Sequence, residues 1–201
     1  MSASLMAGIF VGGRSRRMGG VPKGLLVAPS GETIVDRWLR IFEGHGVPCI
    51  LVGEHPAYGS CRVARVADDP RAEGPLGGLL ALLAHAGNGA AIAVACDMPH
   101  VSERLARRLV AAPPAPIVAA RRGGRWEPFF ARYDIEATLP AACRRAHEGM
   151  TGLQGLLDSC GASELIMGPD EHRELGDWDA PEDVSAAPFD VVERTWQPMR
   201  K

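Results

Sequence analysis

The residues best suited to chemistry lie in one stretch near the N-terminus, Ile9-Phe10-Val11-Gly12-Gly13-Arg14-Ser15-Arg16-Arg17-Met18-Gly19-Gly20-Val21-Pro22-Lys23-Gly24-Leu25-Leu26. Gly12, Gly13, Gly19 and Gly20 let backbone N–H groups approach an anion, while Arg14, Arg16, Arg17 and Lys23 bring countercharge to the same short length of chain. That is the anatomy of a phosphate site. No Gly-Lys-Ser or Gly-Lys-Thr closes it, so it is not a Walker A loop, and the Gly-x-Gly-x-x-Gly of a dinucleotide fold is missing. A solvated basic loop with turn glycines uses the same residue types.

Two acidic segments follow. Ala91-Ile92-Ala93-Val94-Ala95-Cys96-Asp97-Met98-Pro99 is an apolar run that ends on a carboxylate. Mg²⁺ takes one or two carboxylates together with phosphate oxygens, which makes Asp97 a candidate metal ligand; a helix cap or turn would also place an Asp there. Ala67-Asp68-Asp69-Pro70, then Gly74-Pro75-Leu76-Gly77-Gly78, reads as a strand end, an acidic turn and a helix with Pro at its first position. Such an N-terminus offers free N–H groups to a ligand, and a plain turn explains the segment nearly as well. Further on, Asp179-Ala180-Pro181 is either a helix start capped by Asp179 or a second carboxylate for a cation.

Other reactive residue types lack partners. His45, His55, His85, His100, His147 and His172 show no metal spacing, so surface or helix-end roles are expected of them. Cys96 reads as an inert small hydrophobe, and Ser15 has no nucleophile-elbow context.

Positioning such loops requires a sheet. Short apolar runs predict strands at Leu5 to Val11, Pro48 to Val52, Arg62 to Ala67, Ala90 to Ala95, Ile117 to Ala120, Phe129 to Tyr133 and Glu164 to Met167. Amphipathic stripes predict helices at Thr33 to Phe42, Leu76 to Ala86, Glu103 to Val110 (capped by Ser102), Ile135 to Ala146 and Leu153 to Ser159. This alternation implies an α/β fold with a mostly parallel sheet covered by helices on both faces, whose ligands bind beyond the strand C-termini. The regularity breaks near residue 110, but no linker is long enough to separate independent units, so a single domain over 1–201 is expected, with the glycine-rich phosphate loop in a half at about 1–110 and a substrate-facing half at about 111–190.

Composition narrows the partners. The 201 residues carry 22 Lys and Arg against 24 Asp and Glu, and this balance gives no electrostatic footprint for nucleic acid or an anionic membrane. Five cysteines without a Cys-x-x-Cys pair fit a reducing cytoplasm better than a disulfide framework or a zinc ribbon. Gly and Pro number 24 and 16, about a fifth of the chain against roughly 12% in average usage, so functional loops are abundant.

In order, these segments resemble the MobA-like nucleotidyltransferases, and among them the molybdenum cofactor guanylyltransferases. The opening pattern Leu-Ala-Gly-Gly-x-Ser-x-Arg-Met-Gly-x-x-x-Lys-x-Leu-Leu is met from Phe10 to Leu26, with Phe10 and Val11 replacing its first two letters. Gly-Pro-Leu-x-Gly matches Gly74 to Gly78, Cys-Asp-x-Pro matches Cys96 to Pro99, and Pro-Leu-Phe-Ala-x-Tyr is visible from Pro128 to Tyr133. The terminal Asn-Thr-Pro-Glu-Asp becomes Asp179 to Asp183.

The resemblance implies a Rossmann-like fold of the nucleotide-diphospho-sugar transferase type. It also implies an enzyme that uses GTP and Mg²⁺, moves GMP to the terminal phosphate of Mo-molybdopterin and releases pyrophosphate. Proteins that deliver the pterin or receive the product, molybdoenzymes among them, are implied partners. By position, Phe10, Val11, Gly12 and Gly13 hold nucleotide through their backbone, Lys23 contacts phosphate, Asp68 rather than Asp69 meets the nucleotide, and Asp97 binds Mg²⁺, with Asp179 as a second acid. Arg17 joins Lys23 in neutralising the leaving group, and Arg121, Arg122 and Arg125 are candidates for the pterin phosphate, although an ordinary basic hairpin tip would look the same. Gly12 is similar to the guanylyl type. Gly53 departs from the pattern, standing where the family often has a nucleoside-contacting Asn. Alternatives are a CTP- or sugar-phosphate-using transferase of the same fold and a non-catalytic cofactor carrier.

Overall fold

A computed structural model describes residues 4–12, 20–61, 63–178 and 183–184. Seven strands form one sheet: β1 Leu5–Phe10, β2 Cys49–Val52, β3 Arg65–Val66, β4 Ala90–Ala95, β5 Ile117–Arg122, β6 Arg125–Asp134 and β7 Ser163–Glu164. Their order is β3-β2-β1-β4-β6-β5-β7. β1 runs parallel to β2 on one side and β4 on the other, β3 is parallel to β2, and β7 is parallel to β5. Only β6 is reversed, antiparallel to both β4 and β5. The mostly parallel sheet is as expected. The reversal follows from Gly123 and Gly124, whose φ of 57° and 78° make the tight turn that folds β6 back on β5.

Alternation along the strands divides the core in two. Ala7 and Ile9 of β1 join Ile92 and Val94 of β4 on one face, under the apolar stripes of α1 (Ile34–Glu43) and α3 (Glu103–Val110). Ala91 and Ala93 face α2 (Pro75–Ala86), α4 (Ile135–His147) and α5 (Leu153–Ser159). α2 is apolar nearly all round, with Leu76, Leu79, Leu80, Leu82 and Leu83 buried, as a helix sandwiched between a sheet and other helices must be. It lies close because Gly8 has no side chain: a Cβ there would come 2.7 Å from both methyls of Leu82. Among the described residues, no helix is long and apolar enough to cross a membrane.

Several elements differ from the pattern reading, among them β5 and β6, which extend to Arg122 and back to Arg125 because the glycine turn keeps the two strands paired to its edge. β3 is two residues rather than six and pairs only with β2, as a short edge strand. β7 ends at Glu164, because beyond the pairing with Ala119 the backbone of Leu165 makes one last bond and Ile166 turns outward, 70% exposed. The short helix α6 (Pro169–Glu174) was not anticipated, since Pro-Asp-Glu-His-Arg-Glu carries no apolar stripe. It forms through charge and capping instead: Glu171 accepts from the Gly168 N–H and pairs with Arg104 and Arg108 of α3.

Candidate active site

The C-terminal ends of β1, β2 and β4 and the first turn of α2 enclose a cleft of about 430 Å³. Phe10, Val11, Gly12, Lys23, Asp68 and Asp97 line it, so the structure brings together six of the sequence-selected residues. Gly13, Arg17 and Asp179 lie outside the described residues. Val11 and Gly12 meet the cleft as bare backbone, but both N–H groups already donate to the Val52 carbonyl, at 2.9 and 3.3 Å. What they offer a ligand is close approach rather than those donors.

That approach depends on Gly53. Its φ is +96°, and a Cβ would lie 2.7 Å from both the nitrogen and the Cα of Gly12. The missing Asn is therefore accounted for physically: here β1 and β2 touch backbone to backbone at their exits, where no L side chain fits.

Lys23 and Asp97 face each other across the cleft wall, Nζ to Oδ2 3.0 Å, with both side chains largely buried. Each is held by a local device. Lys23 opens a 3₁₀ turn, Lys23–Leu25, in which Leu25 N–H donates to Pro22 and Leu26 N–H to Lys23. Asp97 leaves β4 through a turn bonded on three sides. The Trp38 indole of α1 donates to the Ala95 carbonyl at 3.0 Å, Cys96 N–H donates to Phe10, and Trp178 N–H donates to the Asp97 carbonyl at 2.9 Å. The pair joins the two charge types that a metal-bound polyphosphate would meet. Among the described residues no group of three or more His, Cys, Asp and Glu forms a metal cage. One carboxylate opposite a lysine suits a hard cation that arrives with phosphate oxygens of its own.

Of the two neighbouring acids, Asp68 lines the cleft and Asp69 does not. Asp69 is clamped by Arg71, Oδ2 to Nη2 2.6 Å, and accepts from the Arg71 N–H, which holds its carboxyl below the usual range. Burial, with Glu54 nearby, pushes the Asp68 carboxyl up. Asp68 Oδ1 would lie 3.1 Å from a Cβ on Gly78 and 3.7 Å from one on Gly53, so two glycines make the space it occupies.

The hairpin arginines are engaged differently, and none of them lines the cleft. Arg122 is braced by Glu127 at 2.6 Å and Asp177 at 2.8 Å, and these carboxylates raise its pKa against the opposing effect of burial. Arg121 lies over the Trp126 ring, 3.9 Å from its centroid, and Arg125 is exposed at the tip. Cys96 is buried and its thiol is pushed up to about 12, chiefly by desolvation, as an inert thiol should be.

Several contributors are not singled out by the sequence as site residues. His55 lines the cleft, and its Nδ1 accepts from the Ala57 N–H, which fixes Nε2 as the protonated nitrogen of the neutral ring. Phe129 meets Phe10 with ring centroids 4.5 Å apart in the cleft wall. Tyr58, Trp38 and Trp178 act through bonds to distant backbone. Only the family pattern around Phe129 and the His55-Pro56 step, which favours an extended His55, could have drawn notice.

A family model for the MobA-like NTP transferase domain matches residues 7–163, which span every described cleft residue. The chain belongs to the MobA-like NTP transferase family. Within this family, the molybdenum cofactor guanylyltransferase of Pseudomonas putida F1 is 31% identical over 188 residues, covering 87% of this chain and 92% of its own. The protein of the same name from Ectopseudomonas mendocina is 28% identical over 191 residues, 89% of each chain. Solved structures agree on the fold. Molybdopterin-guanine dinucleotide biosynthesis protein A from Archaeoglobus fulgidus superposes with a TM-score of 0.66 at 20% identity, covering 89% of this chain and 94% of that one. A nucleotidyl transferase from Methanothermobacter gives 0.66 at 20% identity, covering 90% and 94%. As a MobA-like NTP transferase the chain is an enzyme of the nucleotidyltransferase class. The family match ends before Asp177 and Trp178, so the segment that braces Asp97 from behind lies beyond it.

Proposed function

We propose that this chain transfers GMP from GTP to the terminal phosphate of Mo-molybdopterin, forming molybdopterin guanine dinucleotide and pyrophosphate. The observation that supports this best is the Lys23–Asp97 pair in the wall of a cleft that Gly12, Gly74 and Gly78 also line. The curated relatives that match over most of the chain carry the name molybdenum cofactor guanylyltransferase, and this favours GTP and the pterin over other substrates of the fold.

In this reading an acceptor phosphate oxygen, already ionised at neutral pH, attacks the α-phosphorus of GTP. The bond from that phosphorus to the oxygen bridging to the β-phosphate breaks, and pyrophosphate leaves with the electron pair. No proton need be moved, so the contribution of the protein is electrostatic. Lys23 neutralises phosphate charge, a role that Arg17 of the basic loop shares. Asp97 would hold Mg²⁺, with Asp179 as a second acid, and the bound metal would supply charge stabilisation on the triphosphate. Asp68 contacts the nucleotide, and Phe10, Val11, Gly12 and Gly13 let it lie against backbone. Arg121, Arg122 and Arg125 flank the acceptor side. The working compartment is the cytoplasm, and the product passes to molybdoenzyme apoproteins.

The deciding experiment supplies α-labelled GTP, Mo-molybdopterin and Mg²⁺ to the purified protein. Label should move into a guanine dinucleotide with one pyrophosphate per transfer. Preferential use of CTP, transfer to a sugar phosphate, or binding without pyrophosphate release would overturn the assignment.

A further inference from the structure

One residue along from each partner of the Lys23–Asp97 pair, the chain turns inward. Gly24 is buried, Cys96 is 8% exposed, and Tyr58, only 1% exposed, comes between the two segments from the 3₁₀ turn Pro56–Tyr58. The Gly24 N–H donates to the Tyr58 phenol oxygen at 3.0 Å, across 34 residues of sequence. As the second residue of a 3₁₀ turn, Gly24 has an N–H that the turn itself cannot satisfy, so the phenol supplies the acceptor that water cannot reach to provide. The fit is tight. A Cβ on Gly24 would lie 2.7 Å from the Tyr58 oxygen, 2.6 Å from Val35 Cγ2 and 3.2 Å from Cys96 Cβ. Tyr58 is itself braced, by the edge of the His55 ring at 5.7 Å and by Arg65, which donates to its carbonyl at 3.3 Å.

We propose that Tyr58 is a positioning residue for Lys23: its phenol oxygen anchors the turn that carries the lysine and so sets where the ammonium stands in the cleft. The inference rests on the reading of Lys23 as a phosphate contact. Without the oxygen, a buried N–H is left unpaired. The turn relieves it by shifting, and Lys23 moves with it.

The test is a double-mutant cycle on the affinity for inorganic triphosphate, a probe that needs neither base nor acceptor. Tyr58→Phe should weaken binding about tenfold, the scale of a displaced charged contact. In a Lys23→Ala background the same change should alter binding by less than about twofold, because the group it displaces is gone. Val35→Ala loosens the same corner without touching the hydrogen bond; it should lower the melting temperature and leave triphosphate affinity unchanged. Should Tyr58→Phe fail to fold, 3-fluorotyrosine at position 58, which keeps a weaker acceptor, should give an intermediate loss. Equal losses from Tyr58→Phe with and without Lys23, no loss at all, or a wild-type protein that does not bind triphosphate would overturn the proposal. A wild-type protein that binds triphosphate yet moves no GMP would instead defeat the functional reading and leave the cycle to decide the role of Tyr58.

Discussion

Two places where the sequence sets cations beside glycines are built to opposite ends. At the exits of β1 and β4, Lys23 stands in the wall of a cleft opposite Asp97, beside glycines that leave space for a ligand. At the β5–β6 turn, Arg122 is gripped by two carboxylates and Arg121 is laid on a tryptophan, and neither borders the cleft. Cation density alone therefore does not tell which cations border the cleft. Both Lys23 and Arg122 are paired with carboxylates, so what separates the two regions is whether the paired charge borders unfilled space, as Lys23 does, or stands away from it, as Arg122 does. Arg122 still bears on the cleft indirectly, because Asp177 adjoins Trp178, whose N–H holds the Asp97 carbonyl.

The sharpest way to break this contrast is to remove the charges in the cleft. Asp97→Ala and Lys23→Ala should each lower the rate of pyrophosphate release by about 10²-fold or more, with an unchanged far-ultraviolet circular dichroism spectrum. Normal GMP transfer by Asp97→Ala would refute its assignment as metal ligand. Next in size is Gly53→Asn, which restores the residue of the family pattern. At φ +96° and with a Cβ 2.7 Å from Gly12, it should cost about 1–3 kcal/mol and lower the melting temperature by roughly 5 °C, with weaker GTP binding rather than a gained contact. A stable variant that bound GTP more tightly would show that the two exits can part.

The difference between the regions was only half legible in the sequence. Asp97 could be read because an apolar strand that stops at an acid leaves that acid at the sheet edge, and Lys23 because it closes a glycine-rich exit loop. Both inferences need only local pattern and the rule that ligands meet strand C-termini. Position in the family pattern picks Asp68 over Asp69 by a single residue and gives no physical reason for the choice. What separates them is Arg71, two residues on, which claims Asp69. The state of Arg122 was illegible for a stronger reason: one of its partners, Asp177, is 55 residues away and arrives only when the last segment folds across the sheet. Tyr58 and Trp38 were missed likewise, since each acts through a hydrogen bond to backbone remote in sequence. Helix α6 escaped because charge pairs, not an apolar stripe, hold it.

A milder perturbation inside the cleft tests whether Asp68 sits there for a ligand or for the fold. Burial raises its pKa, so the folded state holds its proton more tightly than the unfolded chain does. Its charge then disfavours folding above the unfolded value, near 3.9, and that penalty fades as pH falls. Asp68→Asn should therefore leave the melting temperature at pH 7 unchanged or raise it by about 1 °C, while weakening nucleotide binding about tenfold by titration calorimetry. A loss of stability together with unaltered binding would make Asp68 a structural acid and remove it from the nucleotide.

The smallest effect should come from the hairpin, and it is the one that joins the two regions. Burial tends to raise the Asp177 carboxyl, but the Arg122 hydrogen bond, a further backbone bond and the charges of Arg122 and Lys23 outweigh it, so its pKa lies below the ordinary value. A depressed carboxyl contributes stability that is present above the unfolded pKa, near 3.9, and lost as pH falls through the lower folded value. The pair is part-exposed, so its contribution is at most about 1 kcal/mol. Arg122→Ala should accordingly narrow the stability difference between pH 6 and pH 3, measured by urea unfolding, by costing more at pH 6 than at pH 3. If Arg122 matters to the cleft only through Asp177 and Trp178, the same variant should slow turnover by a fewfold and leave the salt dependence of acceptor binding as it was. A reduced salt dependence would mean instead that Arg122 reaches the acceptor phosphate itself, and the hairpin would then belong with the cleft rather than stand in contrast to it.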